Sequence, residues 1–558
     1  VIILLTAAML VVMLALLAFS VDLGYMITVE SELKRATDAA ALAGAGALTE
    51  GSDNATSEAF AYLARNPIAG QTIYKSDGWS AYSAEWLAQH PEEFTTKLGD
   101  WDPSKAPGSD LYHDARFSEY QASDGTQPPS AIEITATRPN SPLFFAKIFG
   151  QNSFSVKAQT IARYQPRDIV LVLDFSRSMD FDSNLIRISD FGETARAGVE
   201  TSLANIYADL GSPTYGTLPF APQYATVPGT SASVQFCNTS VNVTATKTMK
   251  SVIVYKSTTT TYGTSKTASG TTGTFSNSGS TIAKVKITFA DNTTETITAD
   301  TAGLKKAFGL TNVAYPYGSD GTTWDRYFSY AQTDGYINNA GYRWKFGCMT
   351  LINYWLEYQS SYSENPDLWK CRVEPIDTVK QASGVFFDFI QQVKTNDRVA
   401  FVLYTSSNGA AITESHLTED FASVKNVITH RQAGHYTGGT NIGDGVKYAL
   451  NELTTNGRQG AFKMIVLMTD GNANLPSSES YARSYTLTQA AACTAKRYPI
   501  FTIGLGMDAD AALLQTVATD TKGAYFGIAG GQTVVDYKPA LLAAFRKIAN
   551  ARPLQIVK

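Results

Sequence analysis

Charge is scarce in this chain of 558 residues: Asp, Glu, Lys and Arg make up 17% of it, against about 25% in an average globular protein. The 45 basic and 50 acidic residues nearly cancel, leaving a formal charge of −5. A protein that tracks phosphates shows a basic surplus on some face, so no nucleic-acid partner is expected. Cysteine and histidine are equally sparse, with four and five residues. Cys237, Cys348, Cys371 and Cys493 show no CxxC spacing and no paired His, which argues against structural zinc. Cys348 and Cys371 share one aromatic-rich stretch and either form a disulfide after export or stay buried as thiols. There is no G-x-S-x-G elbow and no His in a triad setting, and the glycine-rich TGGTNIGDG lacks the Lys-Ser/Thr of a phosphate loop. No enzymatic activity is therefore expected. Disorder is excluded too, because 11% of the residues are aromatic. At roughly 100–200 residues per domain, the length suggests two to four domains.

The chain begins Val-Ile-Ile-Leu-Leu-Thr, is strongly apolar there, and stays uncharged until Asp22. About 21 such residues suffice to cross a hydrocarbon core of about 30 Å as a helix. A secretory signal is the other reading, with Ala18-Phe19-Ser20 imitating a cleavage site. The helical pattern does not stop at Ser20, however, and continues to about Leu48, which favours an anchor. Its last part is nearly all small: Ala36, Ala39 to Ala41, Ala43, Gly44, Ala45, Gly46 and Ala47. Small residues let backbones approach closely, whether against another helix or against the chain's own domain.

Beyond the helix, Trp79, Trp86 and Trp101 stand among polar residues, and Ala131–Thr137 and Phe154–Arg163 alternate as strands do. Asp168–Leu173 is a short apolar run suited to a buried parallel strand. From about Ser183 to Arg372 the chain is rich in Thr, Ser, Gly and Tyr, with strand-favouring runs at Ser251–Tyr255 and Ile282–Phe289. This reads as an inserted β-rich domain. Trp324, Tyr327, Trp344, Trp355 and Trp369 read as its core, the alternative being a surface for sugars or a partner. After Glu374 helix and strand alternate. Helices are expected at Asp377–Lys394, Glu419–Thr429, Asn441–Leu453, Ser480–Ala495, Ala509–Ala518 and Tyr537–Ala549. Strands are expected at Arg398–Tyr404, Lys463–Met468, Pro499–Gly504 and Ala524–Phe526. Such alternation predicts an open, doubly wound parallel sheet that binds ligands beyond its carboxyl ends.

Three loops fall at that edge and carry one kind of chemistry, hydroxyl and carboxylate oxygen. The first, DFSRSMD, holds Asp174, Ser176 and Ser178; the second, TGGTNIGDG, holds Thr440; the third, LMTDG, holds Asp470. Alternate residues of an extended segment point to one side, so Asp174, Ser176 and Ser178 can converge. Gly438 and Gly439 allow the second loop a close approach. Oxygen donors suit a hard divalent cation such as Mg²⁺.

These residues carry two resemblances. The segments AFSVDLGYMITVESELKRATDAAALAGAGAL and IEITATRPNSPLFFAKIFGQNSFSVKAQTIARY resemble the TadG-like, pseudopilin-like proteins of the Tad/Flp pilus-assembly system, over about residues 1–165. One departure is Leu5, where pilins of filament cores usually carry Glu. The three loops resemble the von Willebrand factor A domain and its metal-ion-dependent adhesion site, over residues 167–184 and 373–550. That resemblance implies Ser176, Ser178 and Thr440 as hydroxyl ligands and Asp174 and Asp470 as carboxylates acting mainly through water, around Mg²⁺ (or Ca²⁺ or Mn²⁺). It also implies an open coordination position for a carboxylate from a partner. Arg177 stands where the family often has Gly, which places a cation near the metal; it either tunes affinity there or points into solvent, and solvent is the expectation.

The expected fold class is therefore α/β. A transmembrane or pilin-like long helix (1–50) leads into a pilin-like α+β region (51–166). A Rossmann-like, doubly wound domain (167–184 and 373–550) follows, interrupted by a β-rich insertion (185–372) and ending in a tail (551–558). The resemblances imply a bacterial surface-adhesion or pilus-associated protein, at the cell surface or outside it and held by the membrane or a pilus. It would bind a protein or surface ligand through the metal. The alternative is a structural subunit of an extracellular filament, polymerised through the N-terminal helix.

Overall fold

The computed structural model describes residues 2–70, 93–108, 112–120, 129–183, 185, 188–316, 323–358, 367–393, 395–405, 411–433, 436, 439–529 and 534–558. Trp79, Trp86 and Gly438 lie outside the described residues.

One helix runs without a break from Ile2 to Gly46. Its first half is apolar and bare. Its second half buries Val29, Leu33, Ala36, Ala40, Ala41, Gly44 and Ala45. That small-residue face packs on the chain's own body, with the helix Ser52–Arg65 beside it and a five-stranded antiparallel sheet beneath. The sheet runs in the order Phe117–Glu119, Phe94–Trp101, Ala131–Pro142, Ser153–Tyr164, Leu554–Ile556. The contact is close enough to require small residues: a Cβ on Gly44 would lie 2.7 Å from Ile132 Cδ1 and 2.9 Å from Ala59 Cβ. The last strand corrects the expectation of a tail at 551–558. Leu554 pairs with Tyr164 and Ile556 with Ala162, so the C-terminal residues close the edge of the N-terminal sheet. Three residues are too short to show an alternation in sequence.

The second sheet has six strands in the order Ile412–Thr418, Arg398–Tyr404, Arg167–Asp174, Phe462–Thr469, Ile500–Leu505, Tyr525–Ile528. Five are parallel. The edge strand Ile412–Thr418, half-exposed and without an apolar run, is antiparallel to its neighbour. Arg167–Asp174 is central, with Leu173 paired to Leu403 on one side and Met468 paired to Leu173 on the other. All eight of its residues are buried. Ile169, Leu171 and Leu173 face a core with Phe386, Phe387 and Phe545; Val170 and Val172 face the opposite core with Val446, Ala449 and Leu453. Helices cover both faces, as parallel strands require.

Residues between the first and second strands of this sheet form two antiparallel sheets around a shared core that includes Val234, Phe236, Val252, Val254, Val285 and Ile287. Among the described residues the insertion also carries helices, the longer ones being Ile188–Asp209, Trp324–Thr333 and Cys348–Tyr358. The aromatic cluster is core, but Trp324, Tyr327 and Trp355 lie on these helices, not in a β domain, and share a core with Leu171 of the central strand. Trp344 does join the β core, and Trp369, half-buried, packs at a tilt against His430 with ring centroids 4.0 Å apart. All four cysteines are free thiols, three of them buried.

A buried ion cluster joins the two halves of the chain. Arg167, at the start of the central strand, contacts Asp397 at 2.7 Å, and Arg552 contacts the same carboxylate at 3.1 Å. Arg167 also donates to the carbonyl of Ala549 at 2.9 Å. Burial works to raise the Asp397 carboxyl, yet the Arg167 and Arg552 guanidiniums outweigh it and hold the group below its ordinary value of 3.8. Removing one partner of such a cluster leaves a buried charge uncompensated, so Asp397→Ala is expected to cost about 3–5 kcal/mol in chemical denaturation. Because the folded-state value is depressed, this contribution is fully present above pH 3.8 and is lost as pH falls through the lower folded value. An acid titration of the wild type against Asp397→Asn should show the two converging there.

Candidate metal centre

The carboxyl ends of the central strand and its neighbour Phe462–Thr469 place two carboxylates at one rim. Asp174 ends the first strand and Asp470 follows the second. The loop after Asp174 turns at once into a short 3₁₀ segment, Arg177–Asp180, which folds the two serines back over the strand end. The Ser176 amide donates to Asp174 Oδ1 at 2.8 Å. The Ser176 and Ser178 hydroxyls lie 2.9 Å apart, and Ser178 Oγ donates to Asp470 Oδ1 at 2.8 Å. Thr440 arrives from the second loop. A Cβ placed on Gly471 would lie 3.4 Å from Thr440 Oγ1 and 3.9 Å from Ser178 Oγ, so both hydroxyls border one spot beside Asp470. All five sequence-predicted residues thus meet at one rim.

The second loop is held by Asn474. Its side-chain oxygen accepts from the Thr440 backbone N–H at 2.7 Å, and its backbone N–H donates to the Thr440 carbonyl at 3.1 Å. A Cβ on Gly439 would stand 2.4 Å from that same side-chain oxygen, so any other residue here would push the Asn474 side chain off the Thr440 amide. Asn441 then caps the helix Ile442–Thr455, accepting from the Asp444 amide at 3.2 Å.

Three residues that support the rim were not foreseen. Thr469 Oγ1 donates to Asp174 Oδ2 at 2.7 Å. Tyr404 OH lies 3.3 Å from the same oxygen and donates to the Met468 carbonyl at 2.7 Å. Asn474 is the third. Tyr404 and Thr469 each end an apolar strand with a hydroxyl, a feature too common in sequences to mark them before their partner is seen. Asp174 is fully buried and Asp470 half-buried. Burial raises the Asp174 carboxyl against the hydrogen bonds of Ser176 and Thr469. Burial, and then the charge of Asp174, push Asp470 well above its ordinary value.

Arg177 corrects another expectation. It does not extend into solvent: its guanidinium donates to the Glu357 carbonyl at 3.2 Å and sits 5.7 Å from the centre of the Tyr358 ring. The final helix of the insertion therefore abuts the rim. Burial, reinforced by the charge of Asp334, pushes the Glu357 carboxyl up to about 8. Among the described residues no three His, Cys, Asp or Glu side chains gather as metal ligands; this rim offers two carboxylates and three hydroxyls instead.

Comparison with known proteins defines the class first. Residues 369–535 match the von Willebrand factor type A domain, and the central strand with its Asp174 loop joins that domain from well before the matched region. Residues 1–47 match the TadE/G-like Flp pilus-assembly family and residues 43–162 the Tad-like Flp pilus-assembly family. The chain is thus a TadE/G-like N-terminal region and a Tad-like region followed by a von Willebrand factor A domain. The apolar helix and the pilus-assembly region together point to association with a membrane or pilus. No curated protein matches the chain. Among solved structures, BatB from Bacteroides thetaiotaomicron is 20% identical over 31% of this chain and 89% of its own, with a TM-score of 0.24. The pilus adhesin SpaC from Lactobacillus rhamnosus is 14% identical over 31% of this chain and 27% of its own, with a TM-score of 0.26. The manganese-loaded TRAP protein of Plasmodium vivax is 17% identical over 33% of this chain and 68% of its own, with a TM-score of 0.25.

Gly439→Ala tests the close approach of the second loop. Overpacking of this kind costs about 1–3 kcal/mol. The expected result is a loss of that size in denaturant unfolding, with new protease cleavage near Thr440, while Gly198→Ala, which lies within a helix and meets no atom within 4 Å, leaves the loop uncut.

Proposed function

We propose that this protein is a bacterial surface-adhesion or pilus-associated protein, held by its N-terminal helix and binding its partner through a divalent cation. The observation that carries the reading is the meeting of Asp174, Ser176, Ser178, Thr440 and Asp470 at one rim, drawn from three separate loops. Two carboxylates whose ionisation is made costly by burial, and for Asp470 also by the charge of Asp174, ringed by hydroxyls, form a donor set suited to Mg²⁺, Ca²⁺ or Mn²⁺. In this reading Ser176, Ser178 and Thr440 offer hydroxyl oxygens, and Asp174 and Asp470 supply the charge. Thr469 and Tyr404 orient Asp174 from behind, as supporting groups do around metal ligands. When bound, the cation supplies attraction for a carboxylate on a protein or surface ligand. Arg177 and the insertion's last helix flank the place where that ligand would sit. The site would lie outside the cell or at its surface, and a non-enzymatic role accords with the assembly and adhesion families matched.

A second reading, a structural filament subunit polymerised through the helix, is favoured by one feature, the bare apolar surface of residues 2–17. The two readings are compatible, since a filament subunit can also carry an adhesive domain.

Calorimetric titration of the chelator-treated full chain with MgCl₂ or MnCl₂ should give one cation per chain. Asp174→Ala should abolish the heat, and Thr469→Val should weaken binding about 10–100-fold. Attachment of cells should require the cation and fail with Asp174→Ala at unchanged folding by circular dichroism. A full-strength titration in Asp174→Ala would sink the metal assignment.

A further inference from the structure

The hairpin between Ala131–Pro142 and Ser153–Tyr164 runs along the long helix in the opposite direction. Ile132 lies against Gly44. Further along, Lys34 Nζ donates to the Gln159 carbonyl at 2.8 Å, and Tyr25 meets Phe154 with ring centroids 5.9 Å apart. The hairpin's tip therefore comes to the end of the body nearest the bare apolar half of the helix. There Asp22, the first charge in the chain, accepts backbone N–H groups from Phe144 at 2.8 Å, Phe145 at 3.0 Å and Ala146 at 2.7 Å. Asp22 is only 4% exposed, so its charge is spent on holding the tip. The ring of Tyr25 packs edge-on against Phe144, with centroids 5.0 Å apart.

What the tip then presents is apolar and unprotected. Ile148 is 80% exposed and Phe149 is 82% exposed, with Phe144 and Phe145 half-exposed beside them. Lys147 is the one charged residue between Leu143 and Gly150. Aromatic and aliphatic side chains beside a lysine are the composition of a segment that lies in the headgroup boundary, the lysine reaching up to the phosphates. Position and composition agree. Ile2–Val21 is about 30 Å of helix, the thickness of a hydrocarbon core, and the tip is pinned at the next residue.

We propose that the Phe144–Phe149 tip is a second membrane contact, seated in the interface of the bilayer that the N-terminal helix crosses, and that Asp22 fixes its depth. This rests on the anchoring role of the helix. Two contacts, one spanning and one interfacial, set the tilt of the helix and hold the sheet at a fixed height, so that the von Willebrand factor A domain is presented in one orientation.

The test uses the full chain in phosphatidylethanolamine–phosphatidylglycerol vesicles, with Cys237→Ser to remove the half-buried thiol and an environment-sensitive fluorophore on Ile148→Cys, Leu14→Cys or Tyr262→Cys. Nitroxide lipids labelled near the headgroup should quench the probe at residue 148 several-fold more than lipids labelled near the chain end. The order should reverse at residue 14, and residue 262 should not respond. Quenching at 14 without quenching at 148 would overturn the proposal and leave the anchor intact. Absence of quenching at both would overturn anchor and tip together. If the probe at 148 is shielded from water but exchanges energy with labelled copies and not with lipid, the tip is an interface between copies and the proposal fails.

Discussion

The pairing of Arg167–Asp174 between two strands that lie more than 200 residues further along the chain is the constraint on which the rest depends. Every residue of this strand is buried, and its two ends do different work. At the amino end Arg167 enters the ion cluster with Asp397 and Arg552, which ties the sheet to the C-terminal segment that closes the N-terminal sheet. At the carboxyl end Asp174 stands at the rim with Asp470. A slip of one residue would exchange the two cores that Leu171 and Val172 face, and would carry Asp174 away from Thr469 and Tyr404. Fold and rim are therefore specified by the same contacts.

The insertion is not a separate ornament. Its helices bury Trp324, Tyr327 and Trp355 in the core that Leu171 and Leu173 also face, and its last helix receives Arg177. The loop that carries Ser176 and Ser178 is thereby held from both sides, by the strand ends and by the insertion. The N-terminal region follows the same economy. The small residues of the helix let it lie flat on its own sheet, and the one charge at the end of its apolar half is satisfied by the hairpin tip.

Most of the doubly wound fold is legible in the sequence because buried parallel strands such as Arg398–Tyr404 and Phe462–Thr469 are continuous apolar runs between amphipathic helices. The edge strand Ile412–Thr418 carries no such run, since half-exposed positions place no demand on hydrophobicity. Leu554–Ile556 is too short to signal itself and exists only because an edge of the N-terminal sheet is open to it. The aromatic cluster reads correctly as core but not as β, because Trp and Tyr favour strands only weakly and the helix period of Trp324, Tyr327 and Phe328 was masked by a Thr- and Ser-rich surrounding. At the rim, Asp174, Ser176, Ser178, Thr440 and Asp470 could be named because their loops sit in order at strand ends. Tyr404, Thr469 and Asn474 could not, since one hydroxyl or amide in a strand or loop carries no pattern until its partner is seen. The direction of Arg177 depends on a helix 180 residues away, which no local reading supplies.

The central claim is that three loops build one cation site at the rim of the sheet. Anomalous diffraction from crystals of the full chain grown with Mn²⁺ tests it most directly. The account predicts a single strong peak bounded by Ser176, Ser178, Thr440 and the carboxylates of Asp174 and Asp470. A map with no peak at that rim, or with its peak elsewhere on the molecule, would contradict it.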